Sequence, residues 1–178
     1  TQFTSSLSEV NHHLIRETIK YFKIKEPLHI GTYTTVPTLT GLGSSSSLVV
    51  GLINCILKYK KIKMSNEKII KTAFKIEREI CLNIGGWQDQ IISQMGGLIK
   101  AEISKKGELK IKKILKKKRL VNLIKKNLLL VYSKQKRQSS KVIQSQKNNL
   151  STVIHNYDLI KSLTKKIPNI INNGTPQL

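Results

Sequence analysis

Only ten of the 178 residues are acidic, and only two are aspartates, Asp89 and Asp158. Asp89 follows Gly85-Gly86-Trp87-Gln88, precedes Gln90, and opens a short helical stretch that ends before Gly96-Gly97. A carboxylate so placed can orient a hydroxyl nucleophile or accept its proton. The same residue can equally cap a helix N-terminus. A second carboxylate is singled out by pattern. Residues 65–82 have helical spacing, with Ser65 as the N-cap. On a helical wheel Ile69, Ile70, Ala73, Phe74, Ile76, Ile80 and Cys81 form one apolar arc. Glu77 falls inside that arc, whereas Glu79 falls on the polar side. A carboxylate that points inward is costly unless it is paired or metal-bound. Glu77 therefore either pairs with a Lys or Arg or ligates a cation such as Mg²⁺, which takes one or two carboxylates together with phosphate oxygens.

The third feature is the segment Pro37-Thr38-Leu39-Thr40-Gly41-Leu42-Gly43-Ser44-Ser45-Ser46-Ser47. Gly41 and Gly43 admit backbone conformations closed to other residues. Four serines then lead into an apolar helix. A helix N-terminus offers free N–H groups and a partial positive charge, so it attracts anions. The hydroxyls can contact phosphate oxygens or a magnesium ion. The segment lacks the lysine of the Walker A pattern and is not a P-loop. The plainer alternative is a Ser-rich flexible loop with an N-cap, against which stands its direct join to an apolar helix.

The elements that must hold these residues follow from periodicity. Residues 7–22 read as a helix and 28–36 as a strand. The run 48–57 is apolar nearly all round and reads as a buried helix. A short helix at 88–95 and a strand at 98–103 come next, and residues 108–114 alternate imperfectly through Leu109, Ile111 and Ile114. Residues 127–133 read as a buried strand, and helices near 137–150 and 153–171 finish the chain. Cys55 and Cys81 both lie in apolar helical contexts and read as buried thiols of a reducing compartment. The four histidines form no ligand-spaced cluster with them.

The formal net charge is +22 and the pI about 10.1. The densest basic run is Lys112-Lys113-Ile114-Leu115-Lys116-Lys117-Lys118-Arg119. Such a charge is the electrostatic footprint of a nucleic-acid binder. Yet the lysines are spread over the whole chain, and aromatics are only 5%, so stacking platforms are scarce. A composition bias that yields solvated faces accounts for the same charge. No apolar run is long enough to span a bilayer. No signal peptide is visible. The chain starts at Thr1 and ends in a turn-like Asn-Asn-Gly-Thr-Pro segment, so both ends look cut.

The segment 37–47 resembles the second motif of the GHMP kinases, a proline and a small-residue turn followed by Gly-Leu-Gly-Ser-Ser. Leu39 stands where that family usually has Gly, and Ser47 where it usually has Ala. Gly85-Gly86-Trp87-Gln88-Asp89-Gln90 is similar to the segment of its sugar kinases that carries the catalytic carboxylate. It looks closer to heptose 7-phosphate kinases and fucokinase-like enzymes than to galactokinases. Glu77, twelve positions before Asp89, matches the family's metal-holding Glu. The resemblance implies an α+β fold, with a domain like the second domain of ribosomal protein S5 over residues 1–115. The beginning of a ferredoxin-like domain would follow over 116–178, a boundary where charge density peaks. It implies that Gly41, Leu42, Gly43, Ser44, Ser45 and Ser46 bind the phosphates of ATP, that Ser45 and Glu77 hold Mg²⁺, and that Asp89 is catalytic. Trp87, Gln88 and Arg137 would face the substrate, although Trp87 reads equally as a core residue and Arg137 as a surface one. Ser133-Lys134 replaces the Thr-Gly pair that usually ends the family's strand before that arginine.

The implied reaction is γ-phosphoryl transfer from ATP to a sugar hydroxyl, the anomeric C1 hydroxyl of a heptose 7-phosphate, in the cytoplasm and with no membrane partner. The alternatives are a fucokinase- or galactokinase-like enzyme, a basic nucleic-acid-binding module, and an inactive homologue that serves as a scaffold. The family's first motif is expected before Thr1 and its third after Leu178, so the chain alone is expected to be inactive.

Overall fold

The computed structural model describes residues 2–37, 40–104, 106–114, 122, 125–132, 134 and 139–173. The architecture is mixed α+β, and the chain divides into two units. The first holds residues 1–96 and 136–140; the second holds 97–135 and 141–178.

Four helices build the first unit. They are α1 (His13–Tyr21), α2 (Ser44–Tyr59), α3 (Asn66–Phe74), continued by a π-helical turn over Lys75–Ile80, and α4 (Gln88–Met95). Their apolar stripes meet in one core. Leu14 of α1, Val49, Val50, Ile53 and Leu57 of α2, and Ile69, Ala73 and Ile76 of the α3 stretch are all buried in it. A smaller cluster, Ile19, Ile24 and Ile56, closes the side of α1. Burial of this kind is the main favourable contribution to folding. Ser65 caps α3 by accepting from the Lys68 N–H at 3.3 Å. Side-chain bonds tie α4 in place: Asn54 Nδ2 donates to Gln94 Oε1 and Gln94 Nε2 to Asn66 Oδ1, at 2.8 and 2.9 Å.

In the second unit β1 (Ile99–Ile103) pairs antiparallel with β2 (Leu109–Lys113), with Ala101 opposite Ile111. Gly107, at φ 78°, makes the turn. The alternation places Lys100, Glu102, Lys110 and Lys112 on one face of this hairpin. Helix α5 (Ser139–Asn148), assigned to this unit from Lys141 on, and α6 (Leu150–Asn173) follow, with Pro168 inside α6. No described helix is long and apolar enough to cross a membrane.

Several expectations are corrected. The helix predicted over 7–22 is a short 3-10 turn at Leu7–Glu9 followed by α1. Residues 28–34 form no strand, and Tyr33 is 98% exposed. Residues 128–132 form no strand either, and Leu129 is 87% exposed. A strand needs hydrogen-bond partners, and neither segment has a pairing strand among the described residues. Helix α2 is buried on one side only: Cys55 is exposed, and Cys81 is intermediate rather than buried. The helix predicted over 65–82 is α-helical only to Phe74. The boundary at 115/116 and Ser133 lie outside the described residues.

Candidate active site

The N-terminus of α2 is built by the two glycines. Gly41 (φ 76°) and Gly43 (φ 70°) are both left-handed, the conformation that costs a residue with a Cβ. Gly43 is the N-cap, with no side-chain cap, and its carbonyl accepts from the Ser47 N–H at 3.0 Å. The first helical turn therefore starts with Ser44, Ser45 and Ser46, and the positive end of the helix dipole lies at their amides. Gly41, Leu42 and Ser44 are exposed, while Ser46 is buried. Leu39 lies outside the described residues.

Glu77 faces inward as its place on the wheel predicts and has no solvent exposure. The local helix that delivers it is wider than an α-helix. Across Lys75–Ile80 the turn is π-helical, and the Cys81 N–H bonds back five residues to the Ile76 carbonyl at 2.9 Å. A π turn advances less per residue than an α turn. Ile76, Glu77 and Arg78 can thus all lean to the interior, while Ile80, predicted to be buried, is 39% exposed. Such bulges occur frequently at functional sites.

The Glu77 carboxylate meets the start of α2. Ser45 Oγ donates to Oε1 and Ser46 Oγ to Oε2, each at 2.6 Å. Gln90 Nε2, from α4, donates to Oε2 at 2.6 Å. Arg78 Nη1 lies 3.4 Å from Oε1. Both open readings of Glu77 thus have a partner set: a guanidinium for the ion pair, and a serine hydroxyl beside a carboxylate for a hard cation. The arrangement fits Mg²⁺ on chemical grounds, because its donors are oxygens and its carboxylate stands at the helix end where a phosphate would otherwise be repelled. Among the described residues no three His, Cys, Asp or Glu side chains are grouped for a metal ion, so phosphate oxygens and water would have to complete the shell.

Asp89 is the second residue of α4, and Trp87 occupies the N-cap position, so the capping alternative for Asp89 is not realised. The Asp89 side chain packs against Gly43: a Cβ built on that glycine would lie 3.3 Å from Asp89 Cγ and 3.4 Å from Oδ1. The carboxylate is thereby set at the glycine loop. Burial pushes the Asp89 carboxyl above its usual range, Arg78 pulls it down, and Glu77 pushes it up further. An acid shifted this way is a better proton acceptor near neutral pH than an ordinary aspartate. Trp87 stacks on Phe74 of α3, with centroids 3.6 Å apart and planes 5° from parallel. Gln88 is exposed. Arg137 lies outside the described residues.

The structure thus joins the loop residues 41–46, Glu77 and Asp89. Two participants were not singled out from sequence, Arg78 and Gln90. Gln90 had a usable signal, since it sits one residue after Asp89 in a helix too short to bury a polar side chain without a partner. Arg78 had none of its own, because its place depends on the π turn.

Residues 12–97 match the family described as GHMP kinases N terminal domain. Over 75 residues the chain is 41% identical to a D-glycero-alpha-D-manno-heptose 7-phosphate kinase of Campylobacter jejuni, a stretch covering 41% of this chain and 22% of that protein. Over 95 residues it is 34% identical to a mevalonate kinase of Saccharolobus solfataricus, covering 53% of this chain and 30% of the other. Among solved structures it resembles a D-glycero-D-manno-heptose 1-phosphate kinase from Bacteriodes thetaiotaomicron, with a TM-score of 0.57 and 28% identity over 64% of this chain and 40% of that one. The chain spans less than a third of the length of either curated relative.

Proposed function

Residues 12–97 are a GHMP kinase N-terminal domain, and from that premise we propose that the protein transfers the γ-phosphoryl group of ATP to a hydroxyl of a sugar phosphate. The acceptor assigned is the anomeric C1 hydroxyl of a heptose 7-phosphate. The observation that carries the reading is the junction of three parts at one helix end: the 41–46 loop, the Glu77 carboxylate bonded to Ser45 and Ser46, and Asp89 packed on Gly43.

Each part has a task. The amides and hydroxyls of residues 41–46 hold the phosphates of ATP at the positive end of α2. Ser45 and Glu77 are the residues that would hold Mg²⁺, which would supply charge neutralisation at the phosphates. Asp89 orients the acceptor hydroxyl and takes its proton as the oxygen bonds to the γ-phosphorus and the bond to the β-phosphate oxygen breaks, releasing ADP. Gln90 and Arg78 hold Glu77. Trp87 and Gln88 lie next to Asp89 in sequence and are assigned to the acceptor side together with Arg137. Residues 1–115 serve as the ATP-binding domain and 116–178 as the start of the second. The cytoplasm, with its ATP supply, is the compartment assigned. The relatives support the heptose acceptor through two of the matched proteins, while the mevalonate kinase shows that a likeness of this kind extends to another alcohol.

The test is ATP consumption by the complete protein carrying this chain, with Mg²⁺ and heptose 7-phosphate, fucose, galactose, mevalonate or no acceptor. Turnover with the heptose phosphate is expected, and Asp89→Asn should lower kcat by about 10²–10⁴-fold. Turnover with another acceptor alone overturns the substrate. An Asp89→Asn protein with full activity overturns the role of that residue.

A further inference from the structure

We propose that Arg78 is a positioning residue for this transfer: its guanidinium, seated against Gly85, ties the Glu77 carboxylate to the 83–86 segment and so fixes where Asp89 stands. What is positioned rests on the kinase reading; the seat is a property of the fold. The Arg78 side chain is only 10% exposed. Its Nη1 reaches three acceptors, all at long range: Glu77 Oε1 at 3.4 Å, the Asn83 carbonyl at 3.5 Å and the Ile84 carbonyl at 3.4 Å. Its Nε is buried with no hydrogen-bond partner among the described residues. A guanidinium carries five N–H donors in a fixed fork, and a buried cation held for stability would spend them on close partners. Arg78 does not, so packing shares in holding it.

Gly85 supplies that packing. A methyl group on Gly85 would lie 2.6 Å from both Nη1 and Nη2 of Arg78, so the guanidinium at the end of that side chain would have to move from its place. Gly85 is not among the residues with positive φ. No backbone need explains it, and the space its side chain would fill is taken by the guanidinium. The segment from 83 to 90 is then fastened at successive points. Arg78 lies under residues 83–85, Phe74 under Trp87, Gly43 against Asp89, and Glu77 holds Gln90. Arg78 is the fastening that carries positive charge toward both carboxylates, and it opposes the effect of burial on Asp89.

A double-mutant cycle with Gly85→Ala, Arg78→Ala and the pair decides the matter. Stability is followed by the fluorescence of Trp87, the only tryptophan of these 178 residues. Gly85→Ala is expected to destabilise the wild-type background and to cost much less once Arg78 is alanine, because the obstacle is gone. Additive costs overturn the seat. Kinetically, the folded Arg78→Ala protein is expected to lose on the order of 10²-fold in kcat through misplacement, with KM for ATP little changed. Low concentrations of guanidinium should restore part of the loss, which a general loss of structure would not allow. Wild-type kcat in folded Arg78→Ala overturns the positioning role. A wild-type protein that phosphorylates no acceptor sinks the function proposed above and the positioning role with it, while the cycle still decides the seat.

Discussion

Replacing Glu77 by alanine removes the shared acceptor of three side-chain donors and the counter-charge of a buried cation at one stroke. Ser46 and Gln90 are fully buried, so neither regains water when the carboxylate leaves. Each buried donor left without a partner costs about 1–3 kcal/mol. Breaking a buried ion pair by deleting one partner costs about 3–5 kcal/mol. These losses overlap, since the same carboxylate serves all of them, and relaxation lets Ser45 turn to solvent. The expected destabilisation is therefore about 3–5 kcal/mol rather than the sum. Glu77→Gln keeps the volume and one carbonyl acceptor but loses the charge, so its cost should be smaller, about 1–3 kcal/mol. The assay is urea unfolding of the complete protein, monitored by Trp87 fluorescence and far-ultraviolet circular dichroism together. Adding Arg78→Met to Glu77→Ala should recover much of the loss, because an apolar pair in place of a buried ion pair is often neutral. A Glu77→Ala protein within about 0.5 kcal/mol of wild type, the range of an ordinary surface change, would refute the reasoning. So would a double variant that falls further than the single one.

Three more outcomes follow from the same geometry. Gly43→Ala forces a Cβ into a left-handed residue, which costs about 1–2 kcal/mol, and brings it to 3.3 Å from Asp89 Cγ; both ATP affinity, by calorimetry, and kcat should fall, and a fall in affinity alone would show that Asp89 is not set by the loop. Because burial holds the Asp89 carboxyl above its usual 3.8, the folded state binds that proton more tightly than the unfolded chain, and the contribution of Asp89 to stability declines as pH rises from 3.8 through the folded value. The amide introduced by Asp89→Asn carries no such proton, so the variant should gain stability relative to wild type across that window and hold the gain at neutral pH; unfolding at a series of pH values checks it, and a gain independent of pH contradicts it. Ser65→Ala removes the cap on α3 and should cost about 1 kcal/mol, read by thermal unfolding.

The sequence carried the parts of this site whose meaning is local. Two glycines and four serines before an apolar run define a helix end with free amides whatever surrounds it. The apolar arc that contains Glu77 turns that carboxylate inward even though the wheel assumed a regular α-helix. The arc survives the π turn because Ile69 and Ala73 precede it and Ile76 is only its second residue. Ile80 is the last residue of the π turn, where the smaller step per residue has accumulated, and is the residue the wheel misplaced. Tertiary structure decided what the inward carboxylate meets. Ser45 and Ser46 lie 32 and 31 residues from Glu77, and Gln90 lies 13 away, so only the packing of α2, α3 and α4 brings them within bonding distance. It also decided that β-branched stretches such as 28–34 stay unpaired, since a strand is made by its neighbour and no spacing within a segment supplies one. The use proposed for Gly85 was hidden for the same reason: only the side chain lying against it gives the missing methyl a meaning.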